Sequence, residues 1–346
     1  MNVRSISVLI CTYNRARLLR ETLAALGELE IPDDCSVDIV VVDNNSTDNT
    51  PLVVEEAIAH GPLPIVHLRE SQQGKSFALN RGLSHAQGEI IALTDDDVLP
   101  ARDWLVRIAT IFRERDVTFV FGKVLPRWSC VPPPELLTTR ARDIWGPLAI
   151  VDYGDEPEAY TPECLGQRLP IGANLAFVRP VLITIGGWRT DLGKVNNTLI
   201  SGEDHEIFMR LRRHGLYSGY YDPLNCVRHF VPATRLTRRY FRQWFYWHGK
   251  TSALMLDDLF PDLDLSRVPR IFGVPRFIYR QAAVQFWRYA KRVGGADALA
   301  LLIEEVRALQ FAGLFSECWK RSRRRRPPVG DSRVSAAKAA PGLLGR

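Results

Sequence analysis

The sequence lacks long apolar runs and lacks cysteine pairs at a metal-binding spacing. No stretch of the 346 residues approaches the roughly 20 consecutive apolar residues that a helix needs to span a membrane. The six cysteines form no C-x-x-C pair, which argues against a zinc site and against a disulfide framework. The apolar run near the N-terminus is too short for a signal peptide. These absences predict a reduced, cytosolic protein.

Excess positive charge is absent from the front of the chain and concentrated at the rear. The formal net charge is +6, yet residues 1–234 carry −7. Residues 320–346 alone hold nine Lys or Arg against one Asp. Because the excess is confined to the rear, the basic pI does not by itself indicate nucleic-acid binding, and no nucleic-acid partner is expected. Two interpretations stay open: a solvated helical surface, or a surface that binds anionic lipid or phosphate.

Short β-branched runs alternate with helical patterns over the first 124 residues. Strands are predicted at residues 6–11, 39–42, 65–68, 90–94 and 118–124. Helices are predicted at residues 16–29, 46–60, 76–86 and 104–113. This βαβαβαβαβ order predicts an α/β fold with a doubly wound, mostly parallel sheet.

The pattern changes beyond residue 124. Residues 125–170 form a long irregular excursion, a type of segment that often faces substrate. A strand at 171–178 and a helix at 203–214 follow, and then strands at 216–221 and 226–230. We predict a sheet domain at 1–235, a helical region at 236–319 and a basic, disordered tail at 320–346.

Three adjacent carboxylates, Asp95, Asp96 and Asp97, directly follow the predicted strand at 90–94. Alternation along the chain directs Asp95 and Asp97 to one side and Asp96 to the other. In open α/β sheets, ligands bind at the edge where the strands end. Mg²⁺ and Mn²⁺ take oxygen ligands and often share them with a diphosphate. The triplet therefore indicates either a metal and donor site or an acidic turn before the next helix.

Three further charged residues stand where an element begins or ends. Asp43 ends a strand, where it can accept a hydrogen bond from a nucleobase or ribose, or close a turn with Ser46. Lys75 precedes a helix and suits a phosphate, although the chain contains neither a P-loop nor a G-x-G-x-x-G motif. Asp204 opens a helix, where it is either a general base or a carboxylate stabilised by the helix dipole.

Four blocks resemble family 2 glycosyltransferases of the GT-A fold. They are CTYNR at 11–15, VVVDNNSTDNT at 40–50, GKSFALNRGLSHAQGEIIALTDDD at 74–97, and the stretch from GANLAFVRPVLITIGGW to GEDHEIFMRLRRHG at 172–215. The resemblance covers residues 5–230. It implies a GT-A sheet with a C-terminal helical extension, and a nucleotide diphosphate sugar donor.

The resemblance also implies a role for individual residues. Thr12, Tyr13, Asp43 and Lys75 would bind the nucleotide, and Asp43 would hold the base, typically uracil. Asp95 and Asp96 would face the ribose and the donor sugar. Asp97 would bind Mn²⁺ or Mg²⁺, with His229 as a second ligand or a structural histidine. Asp204 would be the catalytic base. Trp188 and Glu203 would lie on the acceptor side, although Trp188 could instead be a packing aromatic.

These roles predict an inverting transfer from a UDP-sugar to the hydroxyl of a saccharide or lipid-linked acceptor. The metal would neutralise the leaving diphosphate while Asp204 removes the acceptor proton. Two alternatives stay open, a metal-dependent nucleotidyltransferase and a non-catalytic, glycosyltransferase-like binding protein. The first would require a Gly-rich basic loop after the first strand, where this chain has TYNRAR.

Aromatic residues and Arg alternate in two stretches of the rear, at 237–255 and 270–292. Aromatic rings and long cationic side chains suit the interfacial zone of a membrane. One hypothesis is peripheral association with the anionic inner face of a membrane, which fits an acceptor for polysaccharide biosynthesis. The alternative is that these aromatics pack the helices against the catalytic domain.

Overall fold

A mixed nine-stranded sheet is the centre of the fold, here described from a computed structural model that covers residues 1–164, 169–195, 198–260 and 263–323. Its strands are β1 (Ser5–Thr12), β2 (Ser36–Asp43), β3 (Ile65–Arg69), β4 (Ile90–Asp95), β5 (Val98–Pro100), β6 (Phe119–Trp128), β7 (Glu158–Tyr160), β8 (Leu175–Val178) and β9 (Gly219–Val231). The helices that accompany the sheet are α1 (Ala16–Gly27), α2 (Thr50–His60), α3 (Lys75–His85), α4 (Trp104–Glu114), α5 (Arg179–Thr184) and α6 (Glu203–Arg213).

The strand order is β3-β2-β1-β4-β8-β6-β9-β5, with β7 also paired to β9. Strands β1 to β4 are mutually parallel, and β6 and β9 run in the same direction. The short strands β5, β7 and β8 run against their neighbours. The predicted doubly wound, mostly parallel sheet is therefore confirmed. The carboxyl ends of β1, β2, β4 and β9 all lie at one edge.

Alternation along the strands explains why helices cover both faces. In β2, Ile39 and Val41 pack into one buried cluster with α1, α2 and α4. Val40 and Val42 pack into a second cluster with α3, α5 and α6. A strand that is buried on both faces reads as a continuous apolar run, as residues 39–42 do.

A C-terminal helical extension is present, as predicted. It consists of α7 (Arg238–Leu254), the short α8 (Leu256–Leu259), a hairpin of β10 (Arg270–Ile271) and β11 (Val274–Pro275), α9 (Arg276–Arg292) and α10 (Ala298–Arg323). Helices α7 and α10 approach so closely that a Cβ at Gly249 would lie 1.8 Å from the carbonyl oxygen of Gln310. Phe241 and Phe245 are buried where α7 meets α10 and β9. Part of the aromatic content of 237–255 is therefore packing.

Several predicted boundaries differ from the observed elements, and three of them have a clear structural basis. Helix α2 begins at Thr50 rather than Ser46, because the Ser46 hydroxyl accepts a hydrogen bond from the Asn14 amide 2.9 Å away. The strands predicted at 216–221 and 226–230 are one strand, β9, whose register against β6 shifts between Gly122 and Lys123. Helix α10 continues to Arg323, and the rest of the predicted tail lies outside the described residues.

None of the helices in the described ranges is long and apolar enough to cross a membrane.

Candidate active site

A cavity of about 280 Å³ opens at the carboxyl edge of the sheet. Thr12 and Tyr13 reach it from the end of β1, and Asn44 reaches it from the end of β2. The carboxylate triplet Asp95–Asp97 reaches it from the end of β4. Lys75, His229, Lys194 and Arg235 complete its charged lining, together with Arg15. The sheet therefore brings together groups that are up to 220 residues apart in sequence.

Each member of the triplet contacts a basic side chain. Lys75 Nζ lies 3.0 Å from Asp95 Oδ1, and Arg15 Nη1 lies 3.2 Å from Asp96 Oδ1 and also contacts Asp97. Burial opposes ionisation of Asp95, but Lys75 outweighs it and lowers the pKa of that carboxyl. Burial raises the pKa of Asp96 to about 7, although Arg15 opposes the shift. These ion pairs join residues that are distant in sequence. An acidic turn that only precedes α4 would not need them.

Asp97 and His229 form a pair that fits a divalent cation. Asp97 Oδ1 is buried, has no hydrogen-bond partner and lies 3.5 Å from His229 Nε2. Burial lowers the pKa of His229 to about 4, which leaves the imidazole neutral and able to bind a metal. Within the described ranges, no group of three or more His, Cys, Asp and Glu could hold a metal ion alone. An ion here would therefore need further oxygens, such as those of a diphosphate.

The first turn of α6 carries two acidic groups beside this cavity. Asp204 Oδ2 accepts a hydrogen bond of 2.9 Å from the Gly172 amide, and its Oδ1 is buried without a partner. Glu203 Oε1 lies 3.7 Å from Lys75 Nζ. Burial and the Asp204 charge raise the pKa of Glu203 to about 7, against the effect of Lys75. The turn thus holds the Asp204 carboxylate in a fixed orientation, and both Asp204 Oδ1 and Glu203 Oε2 are buried without a hydrogen-bond partner.

Four predicted residues do not line the cavity: Glu203 and Asp204 lie beside it on α6, and Asp43 and Trp188 are buried elsewhere. Asp43 is 2% exposed, and its Oδ1 accepts a hydrogen bond of 2.8 Å from the Ser46 amide, which closes the turn after β2. The next residue, Asn44, lines the cavity instead. Trp188 is 2% exposed and packs in the second core cluster with Leu79 and Leu83. Its environment is that of a packing aromatic.

Several lining residues were assigned no role from the sequence, namely Cys11, Arg15, Asn44, Gln73, Ala149, Lys194 and Arg235. Arg15 belongs to the CTYNR block and could have been noted as a cation one turn from the end of β1. Lys194 and Arg235 come from connecting segments without a recognisable pattern. Together with Lys75 they give the cavity four basic side chains, a composition suited to a diphosphate.

The fold and this site define an α/β protein with carboxylates and basic side chains in one cavity at the carboxyl edge of its sheet, and comparison with known proteins indicates its family. Residues 7–141 match the family model described as glycosyl transferase family 2. The succinoglycan biosynthesis protein ExoM of Rhizobium meliloti is 27% identical over 251 residues, which cover 72% of this chain and 75% of that protein. The glucosyl-dolichyl phosphate glucuronosyltransferase of Haloferax volcanii is 23% identical over 262 residues, with coverages of 74% and 78%.

Among solved structures, a mannosyltransferase from Pyrobaculum calidifontis in complex with GDP-Man and Mn²⁺ is similar with a TM-score of 0.58. It is 24% identical, and the match covers 93% of this chain and 88% of that one. This similarity confirms the GT-A fold. The similarities support a family 2 glycosyltransferase that uses a nucleotide-sugar donor. They favour this activity over the nucleotidyltransferase and non-catalytic alternatives.

Proposed function

We propose that this enzyme is a metal-dependent, inverting glycosyltransferase that moves a sugar from a UDP-sugar to an acceptor hydroxyl. The observation that carries the proposal is the state of Asp204. One of its oxygens is held by the Gly172 amide, and the other is buried and unpaired. A side chain at position 172 would crowd the carboxylate, since a Cβ there would lie 2.9 Å from Asp204 Oδ1.

In this proposal Asp204 Oδ1 acts as the general base. It takes the proton of the acceptor hydroxyl, whose oxygen forms a bond to the anomeric carbon of the donor as the bond to the diphosphate breaks. One displacement inverts the anomeric configuration, whereas retention by double displacement needs a carboxylate nucleophile against that carbon. The triplet carboxylates are poorly suited to that second role, because Lys75 and Arg15 already pair with them.

The leaving diphosphate would lie among the four basic side chains of the cavity. Arg15, Lys75, Lys194 and Arg235 offer charge-assisted hydrogen bonds to its oxygens. Asp97 and His229 would hold Mn²⁺ or Mg²⁺, and the Mn²⁺ of the Pyrobaculum mannosyltransferase supports a divalent ion. When bound, the ion supplies Lewis-acid neutralisation of the diphosphate. Asp95 and Asp96 would face the ribose and the donor sugar.

Uridine is the proposed base. Thr12 and Tyr13 line the cavity at the end of β1, and Asp43 ends the adjacent strand, paired with Thr12 in the β1–β2 register. In our proposal the base lies against Thr12, Tyr13 and Asn44, which line the cavity. The buried Asp43 contributes by closing the turn that carries Asn44.

In our proposal the protein binds peripherally to a membrane surface through its helical extension. Phe272, Trp287 and Trp319 are 69%, 57% and 45% exposed in the helical extension. Lys291 Nζ stands 3.7 Å from the centroid of the Trp287 ring, and the Arg323 guanidinium stands 4.0 Å from that of Trp319. Exposed rings beside cations suit an anionic interface. The Haloferax relative is named for a dolichyl-linked acceptor, which supports a lipid-linked acceptor here.

Co-sedimentation with anionic vesicles tests this location. We expect the protein to pellet with them at low salt and to be released at high salt, because exposed charge pairs are screened. A variant lacking residues 324–346 should bind more weakly. Failure of the full chain to pellet at low salt would contradict peripheral association without affecting the proposed chemistry.

Donor turnover tests the catalytic proposal. With Mn²⁺ and a panel of nucleotide sugars, Asp204→Asn should retain donor binding and lose about 10²–10⁴ in turnover, the usual contribution of a positioned base. Asp191→Asn is the matched control, because Asp191 is an exposed carboxylate paired with Arg189 at 2.9 Å. Equal rates for wild type and Asp204→Asn would assign the base elsewhere.

A further inference from the structure

A second cavity, of about 680 Å³, adjoins the donor cavity. The two share Ala149, which adopts a left-handed backbone with φ +55° at the end of a 3₁₀ turn. The second cavity is otherwise lined by residues from the segment 142–153, by Leu169 and Ile171, by the start of α6, and by the facing sides of α7 and α10. It therefore lies between the sheet domain and the helical extension.

The first turn of α6 lies between the two cavities. Glu203 approaches Lys75, which lines the donor cavity, at 3.7 Å. His205 lines the second cavity. Asp204 is the residue between them in sequence, and its Oδ2 accepts a hydrogen bond from the amide of Gly172, the neighbour of Ile171, which lines the second cavity. Its Oδ1 is unpaired.

The second cavity has aromatic walls and a polar group without a partner. Trp145, Trp244 and His248 line it, and the rings of Trp244 and His248 stack with centroids 4.9 Å apart. His248 Nδ1 is buried and has no hydrogen-bond partner. Burial, with a smaller contribution from the neighbouring His205, lowers the pKa of His248 to about 4, so the ring is neutral. A buried polar atom of this kind costs stability unless a ligand completes it.

Charge distinguishes this cavity from the donor cavity. Among its described lining residues, Arg142 alone is a Lys or Arg, against four such residues in the donor cavity. Its two carboxylates already have partners, since Asp143 pairs with Arg307 at 2.8 Å and Asp152 with Lys123 at 3.4 Å. Aromatic walls with a few polar groups and little net charge suit a neutral, hydroxyl-bearing ring rather than a phosphate.

We propose that this second cavity binds the acceptor, and that the accepting hydroxyl belongs to a neutral sugar unit and not to a phosphate. The inference rests on the proposed glycosyl transfer. A carrier lipid attached to that sugar is compatible with it, because the cavity would receive only the sugar. His248 would hydrogen-bond the acceptor, and Trp145 would cover one face of its ring.

The test combines an acceptor panel with two variants. Phenyl glycosides of glucose, galactose, mannose and N-acetylglucosamine are compared with a bare polyprenyl phosphate, after the donor has been identified by its hydrolysis. His248→Phe keeps the stacked ring and removes its nitrogens, so we expect acceptor KM to rise about tenfold, the equivalent of one hydrogen bond. Donor hydrolysis and melting temperature should not fall. Trp145→Ala should raise acceptor KM at least as much.

His60→Phe is the matched control, because His60 is exposed at the end of α2, and it should leave acceptor KM unchanged. Transfer to a glycoside together with a raised KM in either variant supports the inference. Transfer to the polyprenyl phosphate alone, failure of every glycoside while donor hydrolysis persists, or unchanged KM in both variants overturns it. Absence of donor hydrolysis would instead contradict the proposed function.

Discussion

Replacement of Glu203 by Gln should stabilise the protein, and more so at high pH. The side chain is 6% exposed, and burial with the neighbouring Asp204 charge raises its pKa from 4.5 to about 7. The folded protein therefore keeps this proton to a higher pH than the unfolded chain does. The protonated Glu203 carboxyl leaves stability undiminished below pH 4.5, and stability falls as the carboxyl ionises while pH rises through about 7.

The magnitude follows from these two pKa values. By proton linkage, the raised pKa of Glu203 lowers the free energy of unfolding by about 1 kcal/mol at pH 5 and by about 3 kcal/mol at pH 8. Glutamine does not titrate, so the free energy of unfolding of Glu203→Gln relative to wild type should rise by about 2 kcal/mol between these pH values. The cost of any unsatisfied hydrogen bond of the buried amide is independent of pH, so it cancels in the difference.

Urea denaturation followed by tryptophan fluorescence at pH 5 and pH 8 measures this difference. Glu206→Gln is the matched control, because Glu206 is buried on the same helix and paired with Arg210 at 2.7 Å. Loss of that pair should lower stability at both pH values. If Glu203→Gln changes stability equally at pH 5 and pH 8, Glu203 is ionised in the folded protein and the reasoning is refuted.

The remaining predictions concern the metal and the nucleotide. Asp97→Ala should abolish transfer and the metal-dependent part of donor binding without unfolding the protein, as measured by calorimetry with and without Mn²⁺ and by a melting curve; wild-type turnover in excess chelator would contradict the metal proposal. In calorimetry with Mn²⁺, UDP should bind more tightly than GDP or dTDP, and tightest binding of GDP would contradict the choice of uridine.

The sequence predicts the parts of the site that lie at the ends of regular elements. Asp95–Asp97 could be assigned to the sheet edge because polar residues directly follow the apolar run 90–94. Ion pairs between distant segments could not be predicted in this way. Arg15 meets Asp96 and Asp97 across more than 80 residues, and only the β1–β4 pairing brings their elements together.

Local patterns also misplace residues whose environment depends on packing. The resemblance implied that Trp188 lies on the acceptor side, with packing as the alternative, and the side chain is buried in one cluster with Leu79 and Leu83 of α3. The strands predicted at 216–221 and 226–230 leave out residues 222–225, which belong to β9. The chain instead continues along β6, because the Asn174 side-chain amide donates to the carbonyls of Lys123 and Asn225 at the irregularity.

The distribution of unpaired buried atoms connects stability with function in this molecule. Such atoms each cost about 1–3 kcal/mol, so they persist mainly where something compensates them. Of the fourteen described side chains that carry them, six lie around the two cavities and the turn between them: Thr12, Asp97, Glu203, Asp204, His229 and His248. In our proposals the donor diphosphate and metal complete Asp97, and the acceptor completes Asp204 and His248. Part of the unpaired polar surface that destabilises the free enzyme is then satisfied by its two substrates, and each substrate should raise stability when it binds.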